Sequence, residues 1–230
     1  YMNNLVDSGV VLFIYSELGF NLLKIILKKK IKIHLVITHI NKKKERIWYP
    51  SCSELCKKRK INYIYFEKTS FDRIYNIIKD QNVSCILSAY FRKLLPEKIL
   101  NVPKYGAVNL HGSFLPYYRG RAPANWQIIN GEKYSGGTIH YMNKFVDKGN
   151  IIYQKKISIT SSMTAFQLQK KINKTIISII NKHIYKIIKG ICPSIKQRKI
   201  GSYFRKRKPS DGRIIWNKSA NDVYNLIRGL

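Results

Sequence analysis

The sequence predicts an α/β protein built on a doubly wound, mostly parallel β-sheet. Apolar runs of strand length alternate with segments in which apolar residues recur at helical spacing, and this alternation continues through the first half of the chain. The first run, residues 9–15, is apolar at nearly every position, which is typical of a strand buried on both faces. Parallel strands need crossover connections, and the intervening helices supply them.

The elements of the first half follow from this periodicity, and Pro96 marks the first turn of a short helix. Residues 41–49 are predicted to form a basic loop. The predicted strands are 9–15, 31–39, 62–66, 84–89 and 107–111, and the predicted helices are 20–29, 50 or 51 to 60, 70–79 and 96–100.

The second half departs from this alternation. Thr164 and Gln167 have the spacing of a capping box that begins a long helix, and Ser219 with Asp222 has the same spacing at a last helix. Adjacent glycines at 136–137 indicate a strand that is either mobile or closely approached. The predicted strands are 134–143 and 151–159, and the predicted helices are 123–130, 164–189 and 219–228.

The first strand-helix turn carries only Gly19, without the GxGxxG pattern that cradles a dinucleotide. The GxxxxGK[ST] loop of nucleotide-triphosphate enzymes is also missing from the sequence. We therefore expect a Rossmann-like sheet without a dinucleotide fingerprint.

The chain has a formal net charge of +31, from 43 Lys and Arg against 12 Asp and Glu. Such a charge is typical of proteins that bind nucleic acid, anionic membranes or phosphorylated substrates. It also follows from amino-acid usage alone, because Lys, Ile, Asn and Tyr all have A/T-rich codons and the lysines are spread along the chain. Both interpretations stay open, and weak binding of polyanions at low salt is expected in either case.

The four cysteines lack the paired spacing of a zinc site, so we expect reduced thiols and no metal. No charged-then-apolar leader precedes the first strand, and no apolar run reaches the roughly 18 residues that a membrane span requires. These features predict a cytoplasmic protein without an integral membrane segment.

The candidate reaction centre lies in the stretch 107–123. Because side chains alternate along a strand, Asn109 and His111 point the same way, and a bent loop follows them. With Asp147 from a later turn, they would supply an oxyanion donor, an acid and a proton acceptor for a reaction at a carbonyl carbon. Transfer to an amine fits this set better than a hydrolase triad does. The competing interpretation is a buried polar pair that the backbone satisfies.

These residues resemble a known superfamily. The segments 109–116 (NLHGSFLP) and 119–123 (RGRAP), followed by 147–149 (DKG), are similar to the formyltransferases that use 10-formyltetrahydrofolate. The resemblance implies transfer of a formyl group from this folate to a primary amine.

The resemblance also implies roles for individual residues. Asn109 and His111 would stabilise the tetrahedral intermediate, and Asp147 would assist proton transfer and orient the histidine. The folate would lie near the strand ends, against the loop before Asp147 and against the segment that contains Ala89, Tyr90, Phe91 and Arg92.

Residues 115–126 look most like the formyltransferase domain of the bifunctional UDP-4-amino-4-deoxy-L-arabinose formyltransferase/UDP-glucuronic acid decarboxylase, an enzyme of lipid A modification. The expected acceptor is therefore a UDP-aminosugar, with Arg119, Arg121 and Asn125 as substrate-binding residues. Arginine offers paired donors that suit a diphosphate, although either arginine could instead brace its own loop. The alternatives are a methionyl-tRNA formyltransferase and a degraded, non-catalytic paralogue that binds polyanions.

The expected domain organisation is a formyltransferase catalytic domain at 1–200, followed at 201–230 by the start of a truncated C-terminal subdomain. Tyr1 precedes Met2, which suggests a fragment or a shifted start. The decarboxylase domain of the bifunctional family is not in these 230 residues, so decarboxylation is not predicted for this chain.

Overall fold

The computed structural model describes residues 8–41 and 47–230. Within them, the predicted helices and strands occur in the predicted order, with ends that differ by a few residues, and two short strands are present that were not predicted. The strands are β1 (Gly9–Ile14), β2 (Ile33–Thr38), β3 (Tyr63–Tyr65), β4 (Val83–Ala89), β5 (Ala107–His111), β6 (Arg119–Gly120), β7 (Tyr134–Tyr141), β8 (Ile151–Ser158) and β9 (Tyr203–Phe204). The α-helices are α1 (Ser16–Lys28), α2 (Cys52–Lys58), α3 (Phe71–Ile78), α4 (Glu97–Leu100), α5 (Pro123–Ile129), α6 (Ala165–Ile188) and α7 (Ala220–Arg228).

The central sheet has the strand order β3-β2-β1-β4-β5-β7-β8. The first five strands in this order pair in parallel, and β7 and β8 continue the sheet in antiparallel fashion. The chain winds outward from β1 to β3 and then resumes at β4, on the other side of β1. This arrangement confirms the predicted doubly wound, mostly parallel sheet, and it creates a crevice at the carboxyl ends of β1 and β4.

Both faces of the sheet are covered by helices. Fully buried isoleucines at 172, 176, 180 and 184 place α6 on one face, and Ile74 and Ile78 place α3 on the other. A Cβ on Gly137 would lie only 2.5 Å from Cγ1 of Ile176. The glycine pair of β7 therefore marks a close approach of strand and helix.

The start of α1 differs from the prediction. The helix begins at Ser16, before Gly19, whereas the apolar spacing predicts a start at Phe20. Gly19 lies inside the first turn, where a Cβ would be 2.9 Å from Cβ of Ile14. Gly19 thus lets the helix pack against the end of β1 and does not form a turn.

The caps agree with their sequence signals. Thr164 and Gln167 form the predicted capping box of α6, and the Ser219 hydroxyl accepts the N–H of Asp222 at the start of α7. Part of the basic loop predicted at 41–49, residues 42–46, lies outside the described residues.

The C-terminal segment packs onto the loop that follows β5. β9 pairs in parallel with β6, and neither short strand has a sequence signal. The Asn125 side chain donates to the carbonyl oxygen of Gly229 at 2.7 Å, and Trp126 Nε1 donates to the carbonyl oxygen of Arg205 at 3.0 Å. No helix among the described residues has the length and apolarity to cross a membrane.

Candidate active site

A cavity of about 650 Å³ opens at the carboxyl ends of β1, β4 and β5. Its volume falls within the usual range of small-molecule sites. Asn109, His111 and Asp147 all line it. The structure therefore brings together the three predicted catalytic residues at the crevice that the strand order creates.

The alternation of β5 positions two of these residues. Val108 and Leu110 belong to the hydrophobic core, while Asn109 and His111 reach the cavity. Asp147 enters from the turn between β7 and β8. Its φ of +50° is a left-handed conformation that costs a non-glycine residue energy and that tends to occur at functional sites.

Left-handed backbone conformations recur around this cavity. Ser16, Tyr90 and Ala122 have φ values of +62°, +54° and +51°, and all three line the same cavity as Asp147. Each of these conformations requires support from the surrounding fold. The cavity wall is thus built from backbone that the rest of the protein holds in place.

The carboxylate of Asp147 contacts residues from several parts of the site. Its Oδ1 accepts a hydrogen bond from Asn109 Nδ2 at 3.3 Å, and its Oδ2 accepts the backbone N–H of Gly120 at 2.8 Å. The Nδ1 of His111 lies 3.5 Å from Oδ2. One carboxylate therefore connects β5, the loop after it and the turn between β7 and β8.

The surroundings of Asp147 keep it ionised. Burial by itself raises the pKa of this carboxyl, but the positive potential of His111, the hydrogen bond and charge of His140 and the Gly120 N–H together hold the pKa well below its usual range. The persistent carboxylate lies 3.5 Å from the His111 ring and helps to orient it. With the donor amide of Asn109 beside them, these groups can stabilise negative charge that develops on a bound carbonyl oxygen.

The other ring nitrogen of His111 is held by the loop after β5. His111 Nε2 lies 2.8 Å from the carbonyl oxygen of Tyr118, and the Ser113 hydroxyl donates to the carbonyl oxygen of Tyr117 at 2.7 Å. Because a carbonyl only accepts, Nε2 carries a proton in this arrangement. The loop thus fixes the orientation of the ring and accepts the proton of Nε2 in a hydrogen bond.

His140 is a site residue that sequence reasoning missed. It is buried on β7 directly opposite Asn109, and its Nε2 lies 3.3 Å from Asn109 Nδ2 and 3.5 Å from Asp147 Oδ1. In the sequence, His140 shows only that it occupies the same face of its strand as Gly136, four residues earlier. The register between β5 and β7 is needed to connect His140 to the site.

The turn that carries Asp147 is fastened from the C-terminal segment. Gln197 Nε2 donates to the carbonyl oxygens of Asp147 and Gly149, at 2.8 and 2.7 Å. A Cβ on Gly149 would overlap the carbonyl oxygen of Tyr141. The glycine of the DKG triplet is therefore needed for the turn to approach β7.

The predicted folate-contacting residues are placed unevenly. Tyr90, Phe91 and Arg92 line the cavity, whereas Ala89 is fully buried in the sheet and does not line it. The lining continues through two further segments, residues 93–95 and 143–146. The loop after β4 thus borders the cavity over a longer stretch than predicted.

The predicted substrate-binding residues lie in three different settings. Arg121 lines the cavity, and its Nη1 donates to the carbonyl oxygen of Arg92 at 3.0 Å. Arg119 is buried and donates twice to Gln197 Oε1, at 3.2 and 2.8 Å. Asn125 is bonded to Gly229 and, like Arg119, does not line the cavity. Of these three residues, only Arg121 therefore lines the cavity.

The cysteines are unpaired, and burial raises the pKa of both Cys52 and Cys56 to about 12. Such thiols are poor nucleophiles at neutral pH. In the part of the chain that the structure describes, no three His, Cys, Asp or Glu side chains are grouped to hold a metal ion.

Comparison with known proteins places this site in a family. The profile of the formyl transferase family matches residues 11–183. The bifunctional polymyxin resistance protein ArnA of Wigglesworthia glossinidia brevipalpis is 41% identical over 223 residues, which is 96% of this chain and 34% of that protein. The chain thus spans about a third of the length of this relative.

Solved structures agree in fold. WlaRD, a sugar 3N-formyl transferase solved in the presence of dTDP and 5-N-formyl-THF, superposes with a TM-score of 0.81 at 26% identity, over 97% of this chain and 79% of that one. The N-formyltransferase of Helicobacter canadensis, solved with folinic acid and dTDP-3-aminofucose, gives a TM-score of 0.78 at 25% identity, over 97% and 80%. With the matched sequence profile and a cavity that gathers Asn109, His111 and Asp147, these likenesses show that the chain belongs to the formyl transferase family.

Proposed function

We propose that this chain transfers the formyl group of 10-formyltetrahydrofolate to the primary amine of UDP-4-amino-4-deoxy-L-arabinose, a step of lipid A modification. The observation that carries the proposal is the convergence of Asn109, His111 and Asp147 on one cavity at the strand ends. The identity to a polymyxin resistance protein supports the choice of acceptor, and the sugar N-formyltransferase structures support a nucleotide-linked aminosugar.

One wall of the cavity suits the folate. Residues 93–95 and 143–146 border the cavity beside Asp147, and Lys144 lies 3.9 Å from Glu97, two residues beyond the first of these segments. Together with Phe91, they present an aromatic ring and a stretch of backbone, which are the groups that hold a flat, hydrogen-bonding heterocycle. We infer that the pterin ring lies here, with the formyl group directed toward Asp147. When bound, the folate supplies the activated formyl group.

A second wall suits the aminosugar. Tyr90, Gln169 and Asn173 line the cavity and are joined by hydrogen bonds, including one of 3.0 Å from the Tyr90 hydroxyl to Asn173 Oδ1. Trp48 adds an aromatic face, with Lys170 Nζ 4.4 Å from the centre of its ring. Hydroxyl and amide groups next to an aromatic face are typical of sugar sites. Of the predicted substrate residues, we retain Arg121 as the diphosphate contact, because its guanidinium has further N–H donors beyond the one bound to Arg92.

The site residues then act as follows. Asn109 donates an N–H to the oxygen of the formyl group as the amine nitrogen attacks its carbon. Asn109 Nδ2 makes two contacts of 3.3 Å, to Asp147 and His140, and a substrate oxygen would compete for one of its two N–H donors. His111, oriented by its contact with Asp147, helps to stabilise the oxyanion. Asp147, directly or through a water molecule, accepts the proton that the amine loses and delivers one to the folate nitrogen that departs, so that the products are a formamide and tetrahydrofolate.

We propose the cytoplasm as the compartment. We also retain, as a proposal, the division into a catalytic domain at 1–200 and the beginning of a C-terminal subdomain at 201–230. Residues 197–204 contribute directly to the catalytic turn and loop through Gln197 and β9. The segment on both sides of the proposed division therefore has a role in forming the site.

A competition experiment tests the acceptor. The protein is incubated with 10-formyltetrahydrofolate, the UDP-aminosugar and charged initiator tRNA together, and both products are measured by mass spectrometry. We expect formylated aminosugar and unmodified tRNA. His111→Ala serves as the matched control and should abolish product formation. Formylation of the tRNA alone would overturn the proposed acceptor, and absence of both products would contradict formyl transfer by this chain.

A further inference from the structure

A buried histidine outside the cavity holds one of its walls. His39 lies immediately after β2, and its ring stacks on Phe91 with the centroids 4.5 Å apart. It does not line the cavity. Its contacts nevertheless lead directly into the loop after β4, which does.

The hydrogen bonds of His39 define its tautomer. Its Nε2 lies 3.0 Å from the backbone nitrogen of Arg92, and because that N–H is a donor, Nε2 must be unprotonated. The proton of the neutral ring is therefore on Nδ1, which lies 2.6 Å from Oε1 of Glu67. The second carboxylate oxygen of Glu67 accepts the backbone N–H of Ile40 at 3.0 Å, which fixes the carboxylate itself.

Arg92 is held on its other side by Arg121. Its carbonyl oxygen accepts Nη1 of Arg121 at 3.0 Å, while its N–H donates to His39. Arg121 follows Gly120, whose N–H binds the catalytic carboxylate of Asp147. The backbone of Arg92 is thus clamped between a histidine from the sheet and an arginine from the catalytic loop.

We infer that His39 and Glu67 are positioning residues that hold the loop 90–95 in the shape required to bind the formyl donor, and that protonation of His39 releases this loop. The inference deepens the proposed function, because it rests on the folate lying against residues 91–95. His39 acts through the Arg92 N–H and touches neither substrate. When Nε2 gains a proton, it changes from acceptor to donor and can no longer receive that N–H.

The charges around His39 fit such a switch. Burial lowers the pKa of His39, and the charges of Arg92 and Lys93 lower it further. The hydrogen bond and charge of Glu67 act in the opposite direction. The net effect is a pKa below the usual histidine value of 6.5. The other groups packed on the ring are aromatic, namely Tyr15, Phe66 and Phe91. The ring is therefore neutral at pH 7, and acidification converts it to the form that cannot accept the Arg92 N–H.

The test compares His39→Phe with His183→Phe. Phenylalanine preserves the ring stacking and removes the hydrogen bonds. His183 is also stacked on an aromatic ring, Tyr153, at 4.1 Å, but does not line the cavity, so its variant controls for the loss of a stacked imidazole. The first readout is amide hydrogen exchange of the ligand-free proteins at pH 7.5. We expect exchange at the Arg92 amide to be about tenfold faster in His39→Phe and unchanged in His183→Phe.

The second readout is steady-state kinetics. For His39→Phe at pH 7.5 we expect the KM for 10-formyltetrahydrofolate to rise about tenfold, while the KM for the aminosugar changes less than twofold. In the wild type, the KM for the donor should rise as the pH falls below about 6.5, and this dependence should be absent in His39→Phe. Glu67→Gln, which retains an acceptor oxygen, should give an intermediate KM.

Unchanged exchange at Arg92 in His39→Phe would overturn the clamp whatever the substrate of the enzyme is. Faster exchange together with an unchanged KM for the donor would overturn the link to folate binding. Exchange is measured without substrate, so a protein that formylates no aminosugar would contradict the proposed function and leave the exchange result to decide the clamp.

Discussion

The amide nitrogen of Asn109 lies 3.3 Å from Nε2 of His140, its direct partner across the antiparallel pair of β5 and β7. The Nδ1 of His140 lies 2.8 Å from the carbonyl oxygen of Tyr141, so this nitrogen carries a proton and the ring is held in place. We expect His140, together with Asp147, to orient the Asn109 amide toward the reaction centre.

Removing this support should slow the reaction. We expect His140→Ala to lower kcat about 100-fold, because a misplaced oxyanion donor acts on the transition state, and to change the two KM values little. His140→Gln, whose amide can restore a partner for Asn109, should recover part of the loss. Steady-state kinetics of both variants provide the measurement. Equal kcat values in His140→Ala and wild type would show that Asn109 needs no such support.

The charge of Asp147 should matter more than its shape. Asp147→Asn keeps an oxygen to accept the Gly120 N–H, so we expect a folded protein whose kcat is lower by about 1,000-fold. Circular dichroism and a thermal melt check the fold, and the formyl-transfer assay checks kcat. Normal turnover in Asp147→Asn would remove the carboxylate from the mechanism.

The same residue gives a stability prediction with a definite sign. The pKa of Asp147 in the folded protein is below its unfolded value of about 3.9, so its ionised form stabilises the fold above that pH. This contribution is lost as the pH falls from about 4 through the folded pKa. Urea unfolding of wild type and Asp147→Asn should therefore show a difference in unfolding free energy at pH 5 that shrinks as the pH falls below 4. A difference that grows on acidification would contradict the assigned direction of the pKa shift.

The contact between β7 and α6 can be tested by a double-mutant cycle. Gly137→Ala adds a methyl group 2.5 Å from Cγ1 of Ile176 and should cost about 3 kcal/mol of unfolding free energy. Ile176→Ala alone should cost about 3 kcal/mol through the cavity that it leaves. Ile176→Ala removes the atom with which the added methyl group of Gly137→Ala clashes. The double variant should therefore be at least 1 kcal/mol more stable than the sum of the two single losses predicts. Strict additivity in chemical denaturation would mean that the strand and helix separate without this clash.

The local sequence pattern was sufficient to predict much of this structure. Alternation along β5 correctly places Asn109 and His111 on the cavity side, and the capping box at Thr164 marks the start of α6. These features depend on neighbours within a few residues. The family profile and the observed sheet confirm the predicted family and fold.

The features that the sequence pattern did not predict depend on contacts between distant parts of the chain. His140 reaches Asn109 only through the register of an antiparallel pair, 31 residues apart. Arg119 and Asn125 look like substrate ligands in the sequence, yet their partners Gln197 and Gly229 lie 78 and 104 residues further along. The residue type shows how many hydrogen bonds a side chain can make. Which partner it binds depends on the segment that packs against it.

The contacts of Gln197 have a consequence for how the candidate site forms during translation. This residue is made 50 residues after Asp147, and it holds the backbone of the catalytic turn as well as the guanidinium of Arg119. The strands and helices up to α6 emerge earlier from the ribosome and contain most of the hydrophobic core. A nascent chain can therefore bury its core before the candidate site is complete, and the site is completed when the segment around Gln197 docks.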